Sequence, residues 1–226
     1  MGELSGAATL ELWDAAHALR PVERAVVLAC ADGEDADRVA LLPLGRRDAR
    51  LLALHAAVAG PVIEATASCP RCGQAAEFTL DVDALLARET EAAPAADGWR
   101  VPNSRDLEAA ADAVDAAEAE RVLLELCVDA GEQSDEARRA VAAAMAEADP
   151  LAEVLVDVAC PACEETFVAD VDVGAFVWAE VRASALRLLR DVDVLARAYG
   201  WTEAEVLALG DGKRQAYLDL VSEGVA

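Results

Sequence analysis

Four cysteines in two short pairs are the residues best placed to do chemistry: Cys69-Pro70-Arg71-Cys72 and Cys160-Pro161-Ala162-Cys163. A Cys-x-x-Cys turn lets two thiolates converge on one ion while nearby backbone amides stabilise their charge, and two such turns supply the four tetrahedral ligands of a structural zinc site. A full thiolate set leaves no coordination position for water or substrate, so the predicted Zn2+ organises structure and catalyses nothing. Cys69, Cys72, Cys160 and Cys163 are therefore the expected metal ligands, with no catalytic and no other cofactor-binding residues. A thioredoxin-type redox pair opens a helix inside a βαβ unit, whereas here strand-like runs flank both pairs. Iron can also occupy four cysteines, but zinc is the commoner occupant of such sites.

The flanking runs repeat. Val62-Ile63-Glu64-Ala65-Thr66 leads into the first pair and Glu77-Phe78-Thr79-Leu80 leaves it; Val154 to Val158 and Thr166-Phe167-Val168 do the same for the second. Each copy runs into an acidic helix start, Asp81 and Asp83 in one, Asp170 and Asp172 in the other, where carboxylates suit the positive end of the helix dipole. Two incomplete arms around one metal are the expectation. About ninety residues separate them, too many for a structureless loop, so this insertion is expected to fold.

The remaining elements read as helices. Breakers at Gly33, Pro43-Leu44-Gly45 and Gly60-Pro61 divide the first sixty residues into segments starting near Leu10, at Pro21 and at Arg46. In the insertion, 92–98 reads as a connector and Trp99-Arg100-Val101-Pro102 as extended chain. Asn103 or Ser104 then caps a helix through Leu107, and further helices are predicted over Ala119 to Val128 and Asp135 to Ala148. Apolar residues at three-and-four spacing from Phe176 to Tyr199 predict one long amphipathic helix, ended by Gly200. A capping box of Thr202 and Glu205, with Trp201 and Val206 as its staple, starts a short helix. Gly210-Asp211-Gly212 is expected to break it before a last helix from Lys213 to Val221.

The predicted fold class is α+β, mostly helical: a four-cysteine zinc ribbon of two β-knuckles with a helical insertion and terminal helices. Its regions are 1–60 (N-terminal helices), 61–90 (first arm), 91–152 (insertion), 153–175 (second arm) and 176–226 (C-terminal helices), forming one unit. With 55% hydrophobic residues but only 4% aromatic, the core must come from Leu, Val and Ala. A formal charge of −24 argues against nucleic acid, whose affinity comes from Lys and Arg displacing counterions. No apolar run is long enough for a membrane span, and the start lacks the pattern of a signal peptide, which places the chain in the cytoplasm. Cys30 and Cys127 read as small buried hydrophobes, and His17 and His55 as structural. Arg46, Arg47, Arg50, Arg187, Arg190 and Arg197 either meet acidic partners or pair with the chain's own carboxylates. Trp201 and Tyr217 are read as core, with an interface anchor as the alternative.

The order of several segments carries a resemblance: Leu42-Pro43-Leu44-Gly45-Arg46-Arg47-Asp48, the two cysteine pairs, Arg100-Val101-Pro102-Asn103-Ser104-Arg105-Asp106-Leu107, and Tyr199-Gly200-Trp201-Thr202-Glu203. It resembles zinc-ribbon proteins encoded with phage-like contractile injection systems, relatives of baseplate or tail-assembly proteins of T-even-type phages. The resemblance implies a non-enzymatic structural or assembly role in a baseplate or tail, with other tail or baseplate proteins as partners. One departure is Gly210-Asp211-Gly212-Lys213-Arg214, a glycine-flanked form of the family's paired basic residues. The alternative from a different class is a zinc-ribbon regulator contacting nucleic acid or the transcription machinery, which would need a local basic strip.

Overall fold

A computed structural model describes residues 4–89, 98–129 and 134–224. In chain order its elements are α1 (Gly6–Ala16), α2 (Pro21–Ala29), α3 (Ala36–Ala40), α4 (Leu44–Ala59), β1 (Val62–Ser68), β2 (Ala75–Asp81), α5 (Val82–Leu86), α6 (Ser104–Ala110), α7 (Ala116–Cys127), α8 (Asp135–Ala148), β3 (Leu155–Ala159), β4 (Thr166–Asp170), α9 (Val173–Tyr199), α10 (Glu203–Leu207) and α11 (Asp211–Ser222). Helix dominates, and the strands form two separate antiparallel hairpins, β1–β2 and β3–β4, so the chain is α+β. The first three residues and all but Gly98 of the connector expected over 92–98 lie outside the described residues. Gly98, at the end of that connector, has φ +87°, a conformation costly for any residue with a Cβ.

Helix α9 is the spine. Its buried residues, Val173, Val177, Val181, Ala185, Leu188 and Leu195, recur at three-, four- and seven-residue spacing and so share one face. Helices α1, α2 and α4 pack on it, as do α10 and α11. Near its start the packing is close enough to need a small residue: a Cβ on Gly174 would lie 3.4 Å from that of Ala25. One turn further on, the Arg24 guanidinium sits 4.6 Å over the Trp178 ring. Leu28, Leu51, Leu52 and Leu54 are fully buried in this core, where truncating a leucine to alanine costs about 2–5 kcal/mol. The helix starts a turn earlier than the periodicity suggests because the Asp172 carboxylate accepts the Ala175 N–H at 2.9 Å. It ends where Gly200 turns left-handed at φ +71°.

A polar knot fastens the insertion to the start of α4. The Gly45 N–H donates to the buried Asp149 carboxylate at 2.9 Å, just before β3. Arg47 donates to Asp48 at 2.7 Å and to Ser104 at 3.2 Å, on α6. Pro43 bridges Asn103, and the Leu44 N–H donates to the Pro102 carbonyl at 3.1 Å. Both ends of the insertion thus meet one helix terminus. Burial pushes the Asp48 carboxyl up to about 6, against the Arg47 guanidinium that favours its charge.

Several expectations shift by a turn or more. Helix α1 starts at Gly6, capped by Ser5, and α3, capped by Asp35, was not anticipated because five residues show no periodicity. Asn103 is the cap of α6, through a box with Asp106. Gly212 lies inside α11 and is not a breaker, since Gly210 is the extended N-cap and its carbonyl accepts the Arg214 N–H at 2.9 Å. His55 is fully buried, its Nδ1 3.0 Å from the Gly60 carbonyl oxygen. Tyr199 and Trp201 stack, and Tyr217 meets both rings edge-on, in a half-buried cluster at the surface beside α9 and α11 and not in the core. Among the described residues, no helix is long and apolar enough to cross a membrane.

Gly45 has no room for a side chain, because an added Cβ would meet an Asp149 carboxylate oxygen at 2.0 Å and the Leu151 Cβ at 3.0 Å. Gly45→Ala should therefore both overpack the site and break the bond to Asp149, lowering urea-unfolding stability by about 1–3 kcal/mol. A change within about 0.5 kcal/mol would refute the knot as the fastening.

Candidate metal centre

Alternation along the strands builds two small hairpins with one apolar face each. In the first, Ile63 pairs with Leu80, Ala65 with Phe78 and Ala67 with Ala76, while Glu64, Thr66, Glu77 and Thr79 point the other way. In the second, Val156 pairs with Ala169 and Val158 with Phe167. These inward faces meet in a minor cluster around Ala76, Val158 and Ala169, with Phe78 and Phe167 against it. So little apolar surface gives the hairpins only a weak hold on one another.

Each hairpin ends in the same turn. In the first, the Cys69 N–H donates to the Gln74 carbonyl at 2.9 Å and the Gly73 N–H returns to the Cys69 carbonyl at 2.9 Å. In the second, the Cys160 N–H donates to Glu165 at 2.8 Å and the Glu164 N–H to the Cys160 carbonyl at 3.0 Å. The residue after the second cysteine is left-handed in both, Gly73 at φ +74° and Glu164 at φ +59°. The second turn thus takes with a glutamate the conformation that the first takes with a glycine.

Packing the hairpins face to face brings the turns together. The Sγ atoms of Cys69, Cys72, Cys160 and Cys163 all lie within 4.8 Å of one another. Cys69 and Cys163 are 3.7 Å apart and Cys72 and Cys160 3.6 Å, so sulfurs of opposite hairpins lie in contact. A tetrahedron of thiolates about 2.3 Å from a central ion has sulfurs about 3.8 Å apart, and the donor set fits such an ion. Cys69 and Cys160 are buried, Cys163 is half-buried and Cys72 is exposed. Backbone N–H groups of Ala162 and Cys163 draw the Cys160 thiol down to about 7. The Glu165 N–H favours the Cys163 thiolate too, but burial and the neighbouring sulfurs win and push Cys163 up to about 12. Sulfurs gathered so closely are the arrangement whose charged form a bound cation stabilises, since metal binding takes thiols as thiolates.

Across the turns, Arg71 on one hairpin pairs with Glu165 on the other at 3.1 Å; both are exposed enough for the contribution to be small. This contact and the strained Glu164 escaped the sequence reading, although aligning the two turns sets Glu164 opposite Gly73. The acidic helix starts act as caps: Asp81 accepts the Ala84 N–H and Asp172 the Ala175 N–H, each at 2.9 Å. Among the described residues, no other group of three or more His, Cys, Asp or Glu is arranged to hold a metal.

The other thiols and the histidines stay apart from this centre. Cys127 is buried, and burial followed by the Asp106 charge pushes it up to about 11, which makes it unreactive. Cys30 is half-buried at the end of α2, and burial raises it as well. His17 stacks on Trp13 at the surface. Four of the six singled-out arginines pair with the chain's own acids, Arg46 with Glu89 at 3.0 Å, Arg47 with Asp48 at 2.7 Å, Arg50 with Asp32, and Arg197 with Asp193 at 2.9 Å, whereas Arg187 donates to the Ser184 hydroxyl at 2.8 Å and neither it nor Arg190 forms an ion pair among the described residues.

Comparison of the chain with family models, with curated proteins and with solved structures gives no match.

The two left-handed turn positions predict opposite responses. Glu164→Gly should relieve strain and raise unfolding stability by about 1 kcal/mol, and Gly73→Ala should lower it by a similar amount. Chemical denaturation of metal-loaded protein measures both, and equal responses in sign would show that the turns are not conformationally equivalent.

Proposed function

We propose that Cys69, Cys72, Cys160 and Cys163 bind one structural Zn2+, and that the chain is a non-enzymatic structural or assembly component of a phage-like contractile injection system. The observation that carries the metal reading is the convergence of four thiols, from positions 88 and 94 residues apart, at the spacing a tetrahedral ion requires. The donor set is all sulfur, which favours a soft or borderline ion, and zinc matches the four-coordinate closed geometry without redox chemistry. Four protein ligands leave no open position, so the ion serves to hold the hairpins together and the chain acts through its surfaces.

The assembly reading rests on the segment order that resembles baseplate and tail-assembly proteins. The acidic balance favours it over a nucleic-acid regulator, since a formal charge of −24 opposes a phosphate backbone and Arg46 and Arg50 are held by Glu89 and Asp32. Such a component works in the cytoplasm, where particles are built and thiols stay reduced. Its partners are then other tail or baseplate proteins.

Protein purified reduced and without chelator should carry one equivalent of zinc per chain by elemental analysis, with four sulfur neighbours at about 2.3 Å by X-ray absorption. Cys160→Ser should abolish stoichiometric zinc and lower the melting temperature by roughly 6–12 °C, the effect of losing about 3 kcal/mol in a chain of this size. Absence of metal, or unchanged melting in the variant, would overturn the metal reading. Affinity capture from cells assembling particles should retain tube, sheath or baseplate proteins, and their absence would overturn the assembly reading.

A further inference from the structure

Two surface clefts, of 290 and 800 Å³, run along β1 where the first hairpin meets the start of α9. They share Ala65, Thr66, Phe78 and Phe176, so they form one continuous trough with two half-buried phenyl rings in it. Towards α9 the trough is lined by the exposed Ala175 and Ala179, which leave space where larger residues would close it. The alternation that makes the hairpin supplies these apolar positions, and the one-turn spacing of the alanines sets both on the same side of α9, which keeps the adjoining helix wall low.

Charge on the trough has one sign. Glu64 and Glu77 line it on the hairpin side and Asp170 and Asp172 on the other, while no Lys or Arg lines either cleft. Elsewhere the acids near apolar grooves are offset by arginines, as in the cleft between α3 and α4, where Arg38, Arg46 and Arg50 are already paired with Glu34, Glu89 and Asp32. Beside the trough, β1 pairs only with β2 among the described residues and so keeps one edge open. Nothing from Val62 to Ser68 blocks that edge, since the strand holds neither Pro nor Lys, the usual guards against strand addition.

We propose that this trough receives an extended segment of a partner protein in which Lys or Arg alternates with apolar residues. The segment adds to the open edge of β1, its apolar side chains lie against Phe78 and Phe176, and its cations, on the opposite face of the added strand, meet Glu64 and Glu77. This inference rests on the reading of the chain as a protein-binding scaffold and names the chemistry of one partner; it does not depend on which particle is assembled.

The test uses the zinc-loaded full chain and fluorescein-labelled peptides: one alternating Lys and Leu, one alternating Glu and Leu, and one alternating Lys and Ser. Anisotropy at about 50 mM and about 500 mM salt measures affinity, and hydrogen exchange maps the site. Expected results are binding of the Lys-Leu peptide alone, at least about tenfold weakening by Glu64→Lys/Glu77→Lys, less than about twofold change in the distant control Glu11→Lys/Glu120→Lys, and new protection within Val62–Ser68. Equal binding of the Lys-Ser peptide, equal weakening by the control, or protection elsewhere would reduce the effect to diffuse attraction and overturn the proposal. No binding with full zinc content also overturns it, and leaves the metal and assembly readings to their own measurements.

Discussion

Everything about this architecture turns on closing a long loop between two pairs of thiols. Cys72 and Cys160 are 88 residues apart in sequence and 3.6 Å apart in space. For a flexible chain, bringing such distant points together costs about 4 kcal/mol of entropy beyond a constant. The hairpins alone offset little of that, since their shared apolar cluster centres on two alanines and one valine. The closure is instead prepared by the helical body. The start of α4 binds the insertion twice, at Asn103 on its way out and at Asp149 on its way back. Leu151 and Val154, both fully buried, then guide the chain into β3. These contacts restrict where the second turn sits relative to the first.

The same division explains which parts of the fold were legible in the sequence. Long periodic runs could be read closely: α8 matches its expected range, and α9 differs only in a first turn set by the Asp172 cap. The cysteine pairs could be read because their spacing is itself the signal. What escaped was whatever depends on contacts across the chain. Gly45 looks like a breaker, yet it sits in the first turn of α4 and is a glycine because Asp149, 104 residues later, needs its N–H and its empty side. Arg47 and Asp48 look like surface charges and are the most buried ion pair among the described residues. Ser104, a plausible cap by its position, is fully buried as a partner of Arg47. No local pattern distinguishes these residues from their exposed neighbours.

Charge repeats the lesson at the scale of the surface. A formal balance of −24 suggests a chain in search of cations, but the arginines are mostly committed internally, and Arg214 alone faces Asp191 and Asp211 from a buried position. Buried pairs of this kind do little for net stability compared with apolar substitutes, yet removing one partner strands the other. Their effect is to fix which helix end meets which. The surplus carboxylates are left on the outer faces, where they set the sign of any partner without determining the fold.

A small sandwich with a thin core, four thiols gathered at its tip and its base seated on a helical body, has a mechanical consequence. The hairpin β1–β2 is fixed at both ends, by the cysteine cluster beyond Ser68 and by Ile63 and Leu80 buried in the main core. Strand β1 is thereby held straight between two anchors with one edge free. An edge held in this way is already ordered before a second strand reaches it, so the entropy of forming the docking surface has been met during folding and not at the moment of contact. If the sulfurs are held by an ion, the ion contributes to binding without touching the ligand. Its removal would loosen the β1 end nearest Cys69 first, while the end at Ile63 would stay seated in the helical core.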